Sequence, residues 1–146
     1  MIKHSTSILC FLLLTCVTNA QVVIQVNAGS RASWGKNQEL FIDLKGNCRY
    51  YLHEVSGKRL DSSSFMLSTV QVDSLLSRAD RLGFFGLSER YDGGLADGAG
   101  IFISMNRNGK KHSVDLLNKD LPPVHDWVEM LNAYLAPRRI RINYGQ

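Results

Sequence analysis

The sequence predicts an α+β domain: an antiparallel sheet of about five strands with two helices packed on it. Three observations carry this. Short alternating or β-branched segments are joined by Asn/Gly turns, which is hairpin chemistry. Two other segments place apolar residues at helical spacing on one side only, so each has a single stripe to bury against a partner layer. The 146-residue chain carries no internal repeat and no low-complexity segment, and its length suits one domain with a modest core.

Taken in order, Val22 to Val26 is β-branched and reads as a strand. Asn27 to Asn37 is polar and glycine-bearing, hence a loop. Leu40 to Leu44 is a second strand, Lys45-Gly46-Asn47 a tight turn, and Cys48 to Val55 the hairpin partner. In that partner Cys48, Tyr50 and Leu52 share one face, while Arg49, Tyr51 and His53 share the other. Ser56 to Ser64 reads as a second loop, with a short extension over Phe65 to Leu67.

Ser68, followed three residues later by Gln71, has the form of a capping box. Val72, Leu75, Leu76, Ala79 and Leu82 then line one side of a helix over about 69 to 82, and Gly83 stands at its left-handed C-terminal cap. Phe84, Phe85 and Leu87 follow and plug the core. A glycine-rich loop, Tyr91 to Gly100, leads to the strand Ile101 to Met105. The turn Asn106 to Gly109 returns the chain into the strand Lys110 to Leu117. Pro122 and Pro123 open a second helix, where a missing N–H is harmless, and Pro137 ends it. The order is β-β-β-α-β-β-α, and the alternation of Arg138 to Tyr144 adds a C-terminal edge strand.

Residues 1–20 combine a basic start at Lys3 and His4, an apolar run from Ile8 to Val17, and the small-residue end Thr18-Asn19-Ala20. That is the order of a secretory signal peptide, and the run is shorter than the roughly 20 residues that cross a bilayer. The expectation is cleavage after Ala20, leaving a single domain over 21–146 that is periplasmic or secreted. A second reading takes Leu13-Leu14-Thr15-Cys16 as a lipobox, with Thr15 in the place of the usual small residue. Cys16 would then carry lipid and hold the domain to a membrane, the one case in which a membrane partner is expected.

Loss of Lys3 with that segment lowers the formal net charge from +4 to +3, too near neutral for a dedicated nucleic-acid binder. Cys10 and Cys16 leave with it, so Cys48 has no disulfide partner within the chain. Burial or a cross-link between two chains are its alternatives in an oxidising compartment.

No catalytic residue, metal ligand or cofactor is expected. Asp92 and Asp97 lie among the glycines of the 91–100 loop, but their spacing fits no calcium-binding register, and the loop leads into a strand rather than a phosphate-binding helix. Turn formation, with the carboxylates accepting local N–H groups, is the simpler reading. His53, His112 and His125 are scattered, with no pair at i, i+4. No Gly-x-Ser-x-Gly occurs, and adjacent His112 and Ser113 point to opposite faces of a strand. Basic residues cluster at Lys110-Lys111 and at Arg138-Arg139-Arg141, as edge protection or as a docking patch for an acidic partner. Tyr91, Asp92, Asp97 and these five cations make up the expected contact surface, with Tyr50, Tyr51 and Tyr144 as candidate aromatic anchors.

A helix ending in "LGFFGL", a tyrosine followed by a glycine-rich Asp loop, a hairpin centred on "NGKKHSV" and a Pro-led last helix occur here together. In that order and spacing, over about residues 38 to 136, the chain resembles small uncharacterised secreted bacterial α+β domains. More loosely, it is similar to emfourin-type inhibitors of thermolysin-like metalloproteases. The resemblance implies an exported protein that binds another protein, with protease inhibition as one version, and it carries over no individual residue. Two alternatives stand beside it: a small enzyme or metal site near the Asp92–Asp97 loop, and a structural envelope component anchored through Cys16.

Overall fold

Alternation along the central strands decides which side of the sheet is covered. Strands β1 (Val22–Ser30), β2 (Lys36–Asp43), β3 (Asn47–Glu54), β4 (Arg59–Met66), β5 (Arg90–Asp92), β6 (Ala99–Arg107) and β7 (Lys110–Leu117) form one sheet in the order β4-β3-β2-β1-β6-β7-β5. Helices α1 (Thr69–Arg81) and α2 (Pro122–Leu135) complete the fold. This computed structural model describes residues 21–30, 32, 34–94 and 98–144. The expected α+β class and the helix positions hold, whereas five strands is an undercount.

Neighbouring strands pair antiparallel, except that β5 runs parallel to β7. Ile24, Val26 and Ala28 of β1, Leu40 and Ile42 of β2, Cys48 and Tyr50 of β3, Ile101, Ile103 and Met105 of β6, and Val114 and Leu116 of β7 point to one face and are buried. A register shift between Val22 and Ile24 turns Val23 inward as well. Both helices lay their stripes on this face: Val72, Leu75, Leu76 and Ala79 from α1, and Val124, Trp127, Val128, Leu131 and Leu135 from α2. Trp127 joins the helices to each other, because its indole N–H donates to the Leu75 carbonyl at 2.9 Å.

The capping box is present: Ser68 Oγ accepts from the Gln71 N–H at 3.1 Å, and Gln71 Oε1 accepts from the Ser68 N–H at 2.9 Å. Gly83 follows the helix at φ 74°. Asn108 and Gly109 both have positive φ, as a two-residue hairpin loop requires, and pair Arg107 with Lys110. At the end of α1, Arg107 reaches Asp80 at 2.7 Å and donates to Ser77 Oγ at 3.1 Å, tying β6 to the helix.

The opposite face of the sheet stays open. One register row across it reads Ser62, Tyr51, Glu39, Asn27, Phe102, Asp115, Arg90. Phe41 and Tyr51 meet edge to face at 6.3 Å, with Arg49 over Phe41 and Arg59 over Tyr51. These cations shield aromatic surface that no helix covers.

Four sequence expectations need correction. The segment read as a loop over Ser56 to Ser64 contains most of β4. As an edge strand it buries little, so its run of three serines hides a regular ladder with β3. β1 runs on to Ser30 because Asn27 and Gly29 face the open side, where polar residues are no obstacle. Arg90–Asp92 form a three-residue strand at the other edge. The tail beyond Arg138 is not a strand: it follows a 3-10 turn over Ala136–Arg138 and has no regular structure over 140–144, with Ile140 and Ile142 buried. Among the described residues, no helix is long and apolar enough to cross a membrane.

Asp43 organises the β2–β3 turn. Its Oδ1 accepts from the N–H groups of Lys45 at 2.8 Å and Asn47 at 2.9 Å, and its Oδ2 accepts from Asn47 Nδ2 at 2.8 Å. Burial alone would raise the carboxyl's pKa; these hydrogen bonds and the Lys45 charge outweigh it and hold the group below its ordinary value of 3.8. Gly46 sits at φ 87° in the same turn, where a Cβ would collide with the Leu67 carbonyl.

Two predictions follow from these contacts. Trp127→Ala should lower stability by about 3–5 kcal/mol, and Trp127→Phe by about 1–3 kcal/mol, since the latter loses the indole hydrogen bond and leaves a smaller ring in the same site. Urea unfolding measures both, and a loss from the alanine variant no larger than an exposed substitution gives would contradict the packing. For Asp43 the folded pKa is the lower one. Its contribution is therefore complete above the unfolded value of 3.8 and is lost as pH falls through the folded value. Asp43→Asn should flatten the stability-versus-pH curve as pH falls below the unfolded value of 3.8; an unchanged slope would count against the assignment.

Candidate functional site

The residues singled out in the sequence do not assemble into one patch. Tyr91 and Asp92 lie on the edge strand β5. The Tyr91 hydroxyl accepts from the Ser88 N–H at 2.9 Å, Asp92 Oδ1 accepts from the Gly94 N–H at 2.8 Å, and Arg90 stands 3.6 Å from the Asp92 carboxylate. For Asp92 this is turn chemistry; Asp97 and Cys16 lie outside the described residues. Lys110 sits over the Phe85 ring at 5.5 Å and Lys111 is exposed beside it on β7.

Arg138 stacks on Phe65 at 4.8 Å and donates to the Met66 carbonyl at 2.7 Å, at the far edge of the sheet. Arg139 is exposed at φ 57°, and Arg141 pairs with Glu129 at 3.0 Å. Since β7 and β4 are five strand spacings apart, the two basic groups are separated by roughly 24 Å.

The histidines are likewise dispersed. His53 is 3.5 Å from Glu39 on the open face, and His125 is 3.9 Å from Asp120 at the start of α2. His112 Nε2 donates to the Leu87 carbonyl at 2.9 Å and packs against Phe84 and Phe85. Among the described residues, no three His, Cys, Asp or Glu side chains converge as metal ligands. Cys48 is buried, its Sγ–H pointing to the Gly46 carbonyl at 3.3 Å, and burial pushes its thiol up to about 11. That places it in the buried alternative and keeps it from thiolate chemistry.

A cleft of about 550 Å³ does bring polar and aromatic groups together. It lies at the end of the sheet where β1 connects to β2, on the helix-bearing face. Gly29 and Ser30 come from β1, Lys36 and Gln38 from β2, Tyr50 and Leu52 from β3, Gly98 and Ala99 from the approach to β6, and Asn143 and Tyr144 from the tail. Trp34 stands at the rim and is 75% exposed. Two segments that the sequence reads as loops, 27–37 and 91–100, therefore border the same opening.

The floor is a hydrogen-bonded chain with one direction. Gln38 is buried, and its Oε1 accepts from the Asn143 N–H at 2.9 Å, which fixes the amide's orientation. Its Nε2 must then donate twice, to the Arg141 carbonyl at 2.7 Å and to the Tyr50 hydroxyl at 2.9 Å. Tyr50 is an acceptor in that bond, so its own proton has to point elsewhere. Only 6% of Tyr50 is exposed and it lines the cleft, and among the described residues no protein acceptor takes its O–H. Farther out, Tyr144 is half-buried and bonds Asp120 through its hydroxyl at 3.3 Å; burial, with the negative charge of Asp120 added, drives its phenol pKa upward and keeps it neutral.

The cleft thus offers aromatic walls, the buried Tyr50 donor and the Lys36 ammonium at the mouth. It suits a group with an oxygen acceptor and an apolar body. Ser30 Oγ, the hydroxyl at the rim, accepts from the Ala32 N–H at 3.1 Å. Tyr50 and Tyr144, two of the tyrosines that the sequence singles out, line this cleft. Trp34, Lys36 and Gln38 were not singled out; a lone tryptophan inside a polar, glycine-bearing segment was the available signal. No family model matches the chain, and no curated protein matches it.

Replacing Gln38 by leucine should cost about 2–4 kcal/mol, because the Arg141 carbonyl and the Asn143 N–H both lose a buried partner. The tail beyond Arg139 should also become protease-sensitive. Urea unfolding and limited proteolysis test this; wild-type stability with a resistant tail would show that the amide does not hold it.

Proposed function

We propose that this protein is an exported, non-catalytic binding domain that takes a protein partner through the cleft beneath Trp34. Trp34 carries the proposal: a large aromatic left 75% exposed beside a cleft whose floor holds the Tyr50 O–H, which no acceptor among the described residues takes. Tryptophan and tyrosine are the side chains that concentrate binding energy in protein interfaces. Burying the indole under a partner while supplying an acceptor to Tyr50 would satisfy both groups at once. The partner segment is accordingly one with an apolar or aromatic side chain next to an exposed carbonyl or carboxylate oxygen. The signal-like residues 1–20 support export. Inhibition of a thermolysin-like metalloprotease is one version of this reading, supported by the resemblance in element order, and it requires loss of protease activity at equimolar protein.

The test is retention of an envelope partner by the immobilised domain, compared between wild type and Trp34→Ala. The variant is expected to weaken retention by roughly 30-fold, the effect of removing an interface anchor worth about 2 kcal/mol. Equal retention by both proteins would take the cleft out of the interface.

A further inference from the structure

We infer that the end of the molecule opposite the cleft rests on an anionic lipid surface. Of the large apolar side chains exposed among the described residues, Leu44 (61%), Met66 (59%) and Val70 (73%) gather at this end. Leu44 lies in the β2–β3 turn, and the Gly46 carbonyl of that turn accepts from the Leu67 N–H at 2.9 Å, which brings Met66 alongside. Val70 follows in the first turn of α1. Three exposed apolar residues at one end of the molecule mark a contact surface.

The chain itself indicates what that surface meets. β1 begins at this end, with Val22 paired to Asp43 and with Gln21, Leu44 and the 106–109 hairpin around one depression. Residues 18–21 alone separate Val22 from the apolar run Ile8 to Val17. From Cys16 to Val22 the backbone reaches at most roughly 20 Å. So long as the chain keeps that apolar run, or carries a lipid on Cys16, this end is held within reach of a bilayer; the inference rests on that form of the protein and not on release after Ala20.

Charge agrees. Lys45 follows Leu44 in the turn and Arg138 donates to the Met66 carbonyl, while the nearby acids are occupied: Asp73 and Asp80 with Arg107, and Asp43 inside its turn. Apolar side chains flanked by lysine and arginine fit the headgroup boundary of an anionic membrane. In this orientation the Trp34 cleft faces away from the lipid.

The experiment uses the full chain reconstituted in vesicles of phosphatidylglycerol and phosphatidylcholine that carry acyl-brominated lipid, which quenches tryptophan on contact. Wild type, with Trp34 remote and Trp127 buried, is expected to keep its emission. A Val70→Trp reporter is expected to lose about half of its added emission, and to lose less in pure phosphatidylcholine. Adding Leu44→Glu and Met66→Glu to the reporter should restore emission, with melting curves showing that the exposed changes leave the fold intact. An unquenched reporter, quenching indifferent to the glutamates or to the anionic lipid, or a lipid-free dimer that the glutamates dissolve (assigning the face to a second copy) would each overturn the inference.

Discussion

Two buried amides determine how the chain closes. Asn132 of α2 donates to the Ile142 carbonyl at 3.1 Å and accepts from the Ile142 N–H at 2.8 Å; Gln38 of β2 does the same for Arg141 and Asn143. A buried backbone segment must find partners for its polar groups, and ordinarily a neighbouring strand supplies them. Here amide side chains supply them from a helix on one side and the sheet on the other. The tail can therefore bury Ile140 and Ile142 without joining the ladder. The cleft is a consequence: Asn143 and Tyr144 become its wall, and the second Gln38 proton makes the Tyr50 hydroxyl an acceptor.

The same arrangement explains what could be read from the residues alone. Both helices were legible because their stripes, the Ser68–Gln71 cap, Gly83 and the Pro122-Pro123 start are local signals with local causes. The Asn108-Gly109 hairpin was legible for the same reason. Edge strands were not: β4 and β5 bury too little for side-chain alternation to mark them, and their regularity lies in backbone pairing with β3 and β7. The tail misled because inward isoleucines two apart look alike whether a strand or a pair of amides satisfies the backbone between them.

The candidate site was partly legible. Tyr50 and Tyr144 carry aromatic character wherever they fall. The role of Gln38 depends on residues 103 and 105 positions away in the chain, a relation no local pattern encodes. Conversely, the basic residues that stand out as clusters along the chain are distributed by the sheet to opposite edges, and Arg138 and Lys110 spend part of their character on Phe65 and Phe85. Proximity along the chain overstated their proximity in space.

The position of β1 bears on how the protein acquires its structure. Among the described residues it is the first strand and the middle one of the sheet, bonded on one side to β2 and on the other to β6, which begins only at Ala99. A nascent chain can zip the β1-to-β4 meander from near neighbours, but half of its central strand then waits, unbonded, for a segment synthesised much later. That long-range closure should govern the folding rate. Until it happens the waiting edge is a template for intermolecular pairing, so this protein gains from being kept unfolded, or chaperoned, until its full length is available.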